Sequence, residues 1–92
     1  MEFEWDEDKA KANLRKHRVA FDEAATVFGD FLSTTFPDPD HSLDEDRFIT
    51  IGTSDRGRIV IVSHTDRDDR TRIISARKAT PRERKIYYEE EN

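Results

Sequence analysis

The chain has 92 residues, 34% apolar and 40% charged, with a net charge of −5. That composition predicts one domain over 1–92 with a thin core, and a chain this short buries little more than half of its unfolded surface, so a stabilising partner is plausible. No apolar run is long enough for a membrane helix. With no cysteine there is no disulfide frame, no thiolate metal site and no cysteine nucleophile. The start, Met1-Glu2-Phe3-Glu4-Trp5-Asp6, lacks the basic and apolar regions of a signal peptide, so a reducing cytoplasm is the expected compartment.

In chain order, Phe3 and Trp5 alternate with acids, as in a short half-buried strand. Asp6 then caps a helix over about 7–16, whose apolar content is only Ala10, Ala12 and Leu14. Such a helix is mostly exposed unless something covers it. Phe21, Ala24, Ala25 and Phe28 form a buried stripe on a second helix, 21–28, with Gly29 as its terminator. A strand over 31–36 precedes a loop, 37–42, rich in Pro and Asp. Residues 47–53 alternate as a strand, Asp55-Arg56-Gly57 makes a hairpin turn, and 58–65 carries Ile59-Val60-Ile61-Val62, apolar on both faces and therefore central. After a polar turn at 66–70 comes a strand at 71–77. Thr80-Pro81-Arg82-Glu83 is a capping box with proline in its preferred place, opening a helix that runs to about 90. Strands joined by short turns imply an α+β fold with an antiparallel meander, two N-terminal helices and one C-terminal helix.

Charge is uneven. Residues 1–55 carry a net −8, residues 56–88 a net +6, and Glu89-Glu90-Glu91 follow. A basic stretch on an acidic protein can form a local anion site, although solvated faces account for most charge runs. Asp38, Asp40 and Asp44 share one loop, but Leu43 stands where a calcium loop needs glycine. His17, His41 and His64 lack metal-ligand spacing, and no glycine-rich phosphate loop exists. No metal or cofactor is expected.

The remaining candidates are Lys16, His17, Arg67, Arg72, Arg77, Glu83, Arg84 and Tyr87. Such groups suit attack of an RNA 2′-hydroxyl on its adjacent phosphate. That reaction needs a base, an acid and cations aimed at the phosphorane. Each candidate also has an ordinary explanation. The capping box accounts for Glu83, a helix anchor accounts for Tyr87, a surface ion pair for Arg77, and a helix end for His17.

These residues carry a resemblance. Phe3-Glu4-Trp5-Asp6, Asn13-Leu14-Arg15-Lys16-His17, Phe21-Asp22-Glu23-Ala24, His41-Ser42, Arg47, Ile51-Gly52, Arg67, Arg72-Ile73-Ile74-Ser75-Ala76-Arg77, Ala79-Thr80, Glu83-Arg84 and Tyr87 run in order through nearly the whole chain. In these stretches the chain resembles the BrnT family of type II toxin–antitoxin systems. The resemblance implies a RelE/ParE-like fold and a ribonuclease toxin that blocks translation. It also implies a ribbon-helix-helix antitoxin, a heterotetramer of two toxins and two antitoxins, and operator DNA bound only through the antitoxin. Two positions depart from the pattern. Ala20 replaces a small hydroxylated residue, which loses a helix cap worth about 1 kcal/mol. Glu45-Asp46-Arg47 replaces Glu-Arg-Arg, so one cation becomes an acid.

The resulting expectation is a metal-independent endoribonuclease acting on mRNA. Lys16 or His17 would serve proton transfer or phosphate contact, Arg72 and Arg77 would stabilise the phosphorane, and Glu83 or Tyr87 would be the other proton-transfer group. Arg47, Arg67 and Arg84 would bind substrate. The alternative is a catalytically weak module that holds an antitoxin and tunes repression, favoured by Asp46 and the acidic total. A gyrase inhibitor is a third reading.

Overall fold

The computed structural model describes residues 1–90, with side chains through Glu89; Glu91 of the acidic tail lies outside the described residues. The element order is β1 (Glu2–Glu4), α1 (Glu7–His17), α2 (Phe21–Thr26), β2 (Thr34–Pro37), β3 (Arg47–Thr53), β4 (Ile59–Arg67), β5 (Arg70–Lys78) and α3 (Pro81–Glu90). Short 3-10 turns at Val27–Gly29 and Pro39–His41 fill the connections.

One sheet runs in the order β1-β5-β4-β3-β2. The doubly apolar β4 is its centre, because neither face of that strand could be left in water. β2 to β5 form the expected antiparallel meander. The expectation fails at the edge, where β1 pairs parallel with β5, Phe3 opposite Thr71. The sheet is therefore mixed. A three-residue strand has a pattern but no direction, and its return through two helices sets the parallel sense.

The caps behave as their chemistry dictates. The Asp6 carboxylate accepts from the Asp8 and Lys9 N–H groups at 2.9 and 3.0 Å. Thr80 Oγ1 accepts from the Glu83 N–H at 3.2 Å, and Glu83 Oε1 accepts from the Thr80 N–H at 2.9 Å, so both arms of the capping box are made. Ala20 caps α2 with no side-chain bond. Gly29 is not a left-handed terminator: α2 tightens into a 3-10 turn there, and the left-handed cap is instead Arg18 at the end of α1, φ 60°. Gly57 takes φ +76° in the β3–β4 turn, as a hairpin glycine does.

The two faces of the sheet differ. α1 and α2 close one face over Val19, Phe21, Ala24, Val27, Val60, Val62, Ile73 and Ala76. α1 reaches this face with few apolar residues, as expected, and only Asn13 of its residues is buried. That side chain works on the backbone. Its Nδ2 donates to the carbonyls of Ala76 and Val19 at 2.8 and 2.9 Å, and its Oδ1 accepts from the Ala76 N–H at 3.1 Å. β1 pairs only with Arg70 to Arg72, so Asn13 takes the place of a strand along the rest of β5. Glu23 ties α2 to the β3–β4 hairpin by accepting from Arg58 Nε at 2.9 Å and Ser54 Oγ at 2.7 Å.

α3 covers only part of the second face. Tyr87 packs there with Ile51, Ile59, Ile61 and Ala79. Among the described residues no helix is long and apolar enough to cross a membrane.

Candidate functional site

The uncovered part of the second face is a cleft of about 300 Å³. It is lined by Asp38 and His41 from the β2–β3 loop, Arg47 and Ile49 from β3, Ile61 and Ser63 from β4, and Ile74, Ser75 and Arg77 from β5. Strand alternation explains most of this list, since Ile49, Ser63 and Ser75 are register neighbours and Ile61 sits opposite Arg77. Ile74 breaks the alternation. Ser63 pairs with Ser75 while His64 pairs with Ile73, so Ile74 is the extra residue of a bulge and joins Ser75 on the cleft side.

Arg77 is the fixed cation of the cleft. Its Nη1 and Nη2 donate to the two carboxylate oxygens of Glu83 at 2.7 and 2.9 Å. This bidentate pair aims the guanidinium and leaves its Nε–H and one Nη2 hydrogen for an anion. The guanidinium in turn holds the Glu83 carboxyl at about 2, against the opposing effect of burial and with help from Thr80. Glu83 is thus ionised at neutral pH and a weak base, which suits it to positioning rather than proton transfer. Arg47 is the second cation, with its Nε 3.5 Å from Glu45 Oε1.

The loop that carries His41 is pinned at its neck. The Asp38 N–H donates to the Arg47 carbonyl at 2.8 Å. Ser42 Oγ donates to the Asp38 carbonyl at 2.6 Å and accepts from the Arg47 N–H at 3.0 Å. Within it His41 Nδ1 lies 2.9 Å from Asp38 Oδ2. The sequence offers His41 as a residue without metal-ligand spacing and as part of the His41-Ser42 stretch of the family resemblance, with no catalytic role attached. The signal available was Asp and His three residues apart in a proline-bounded loop.

Of the residues singled out from sequence, Arg47, Arg77 and Glu83 come together here. The others do not. Lys16 and His17 end α1, which packs on the opposite face, and neither lines the cleft. Arg72 faces Glu4 across the β1–β5 pair, Nη1 to Oε2 2.8 Å. Arg67 lies 3.8 Å from Glu45 at the hairpin end. Arg84 donates to the Ala79 carbonyl at 3.2 Å and borders a separate hollow with Gly57, Lys78 and Tyr88. Tyr87 is buried, and its hydroxyl donates to Asp30 Oδ2 and lies 3.2 Å from Thr53 Oγ1. Burial pushes the Asp30 carboxyl up, but hydrogen bonds from Thr53, Tyr87 and Leu32 outweigh it and leave the carboxyl below its usual range. The pair anchors α3. The substituted Asp46 is exposed outside the cleft lining. His64 is buried between Phe28 and Phe48 on the closed face, where burial lowers its pKa against a smaller opposing pull from Asp66. Among the described residues, no group of three or more His, Cys, Asp or Glu side chains is placed to hold a metal ion.

Comparison with known proteins gives the geometry a context. The crystal structure of the Brucella abortus ribonuclease toxin BrnT superimposes with a TM-score of 0.69 at 30% identity, over 87% of this chain and 97% of that one. No curated protein sequence matches significantly. The family model for the ribonuclease toxin BrnT of type II toxin–antitoxin systems matches residues 5–83. The α+β architecture and the family match agree with the resemblance carried by the sequence, and the chain belongs to the BrnT family of ribonuclease toxins of type II toxin–antitoxin systems.

Proposed function

We propose that the chain is a metal-independent endoribonuclease that cleaves mRNA in the Arg47–Arg77 cleft and thereby blocks translation in the cytoplasm. The observation that carries this reading is Arg77, held on the open sheet face by a bidentate Glu83, with Arg47 lining the same cleft. A scissile phosphate placed between the two guanidinium groups would gain donors that strengthen as charge grows on the phosphorane. Holding the 2′-oxygen in line with the leaving 5′-oxygen supplies further acceleration without any cofactor. Ile49, Ile61 and Ile74 give the floor of the cleft an apolar surface for a sugar or base.

Membership of a type II family brings an antitoxin as partner. We take it to be a ribbon-helix-helix protein that binds two toxins as a dimer and makes all contacts with operator DNA.

The test is cleavage of a synthetic RNA by the purified chain, with and without a chelator. Cleavage insensitive to the chelator, with cyclic phosphate ends, is expected. Arg77→Ala should lower the rate about 10²- to 10³-fold, the size seen when one donor to a transition-state charge is removed. Intact RNA would sink the nuclease reading. One feature favours the weaker alternative, an antitoxin-holding module: both cleft cations face carboxylates, Glu83 and Glu45. Tight antitoxin binding without cleavage or growth arrest would support that alternative.

A further inference from the structure

Transesterification of RNA needs a base for the 2′-hydroxyl, and the groups first suspected of that role lie on the wrong face or are locked in structural bonds. We propose that His41 is the base, held in position by Asp38; the proposal rests on the ribonuclease reading of the Arg47–Arg77 cleft. Three observations converge on it. His41 and Asp38 line the same cleft as Arg47 and Arg77. His41 Nδ1 is 2.9 Å from Asp38 Oδ2, and a carboxylate oxygen in that position accepts, so in the neutral ring Nδ1 is the donor and Nε2 keeps the lone pair. The ring is 67% exposed while Asp38 is 15% exposed, so the orienting partner is sheltered and the imidazole is reachable by a substrate. The Ser42 neck fixes this dyad to the start of β3, the strand that also supplies Arg47.

The step balances with groups on the page and solvent. His41 Nε2 takes the proton of the 2′-hydroxyl as the O2′–P bond forms. Arg77 and Arg47 face the non-bridging oxygens. The P–O5′ bond breaks, and the departing 5′-oxygen takes a proton from water. The products are a 2′,3′-cyclic phosphate and a 5′-hydroxyl end, and the imidazolium returns its proton to solvent. Asp38 is a positioning residue: it fixes the tautomer and stabilises the imidazolium that forms.

The test measures single-turnover cleavage of one synthetic RNA across pH by the wild-type chain and by His41→Asn, His41→Gly, Asp38→Asn and Arg77→Ala variants. Circular dichroism and RNA affinity are recorded for each. His41→Asn should fold, bind RNA, and cleave about 10²- to 10⁴-fold more slowly, the usual contribution of a general base. The acid limb of the wild-type pH profile should vanish with it. Added imidazole should restore part of the rate to His41→Gly, and Asp38→Asn should show a smaller loss with a displaced limb. Wild-type rate and pH profile in His41→Asn, with Arg77→Ala inactive, would overturn this proposal while leaving the ribonuclease reading intact. No cleavage by the wild-type chain would overturn both.

Discussion

On the closed face Val60, Val62, Ile73 and Ala76 lose nearly all contact with solvent, whereas Ile49, Ser63, Ile74 and Ser75 on the open face keep part of theirs. The two faces use the same three strands. On the closed face polar groups depend on protein partners, so Asn13 is committed to three backbone bonds and Glu23 to Arg58 and Ser54, while His64 Nδ1 is left without one. On the open face water and a substrate can share that task, so Arg77 keeps donors unspent by Glu83. The closed face makes this small domain stable, and the open face is where groups can meet a ligand without unfolding it.

The largest effect is expected at Asn13. Asn13→Ala leaves the Ala76 N–H and two carbonyls without partners in a buried place, at about 1–3 kcal/mol for each such group. A net loss of about 3 kcal/mol is expected in denaturant unfolding. A loss near zero would mean that α1 and the β5 edge are satisfied some other way.

Next come two truncations, one on each face of the sheet. Val62→Ala removes fully buried methyls from the closed face and should cost about 2 kcal/mol, from lost transfer energy and the void left behind. Ile49→Val on the half-exposed open face should cost less than about 1 kcal/mol. Equal costs by chemical denaturation would erase the distinction between the faces.

The smallest effect is an acid dependence on the open face. Glu83 is held at about 2 in the folded chain against an ordinary 4.5. A depressed carboxyl contributes stability that is fully present above the unfolded value and is lost as pH falls through the folded one. Wild type should therefore exceed Glu83→Gln in melting temperature at neutral pH, and the two curves should converge between about pH 4.5 and 2. A constant separation across that window would assign the Glu83 effect to packing instead.

Much of this architecture was legible from local pattern. The doubly apolar Ile59–Val62 run placed β4 at the centre, and the Thr80–Glu83 box placed the start of α3, because both signals are complete within a few residues. The parallel pairing of β1 was not legible, since its three residues say nothing of direction. Nor was the role of Asn13, whose partner Ala76 is 63 residues away. The candidate site divided along the same line. Arg77 and Glu83 are both candidates in the sequence, in separate roles, and only the structure shows them as a bidentate pair. Lys16 and His17 looked equally apt in a list of charges, but helical periodicity does not say which side of a sheet the helix will cover. His41 stands out only within the His41-Ser42 family stretch and carries no role there, because the cations around it, Arg47 and Arg77, come from different strands and its own loop reads as an ordinary turn.

Glu83 holds two offices with one carboxylate: it closes the first turn of α3 through the Thr80 N–H and aims Arg77 through both oxygens. A single substitution there strikes the start of a helix and the aim of the cleft together. Even the conservative Glu83→Asp, shorter by one methylene, cannot keep the same reach to both partners. Substitutions at 77, 80 and 83 should therefore be non-additive, because three residues share one carboxylate.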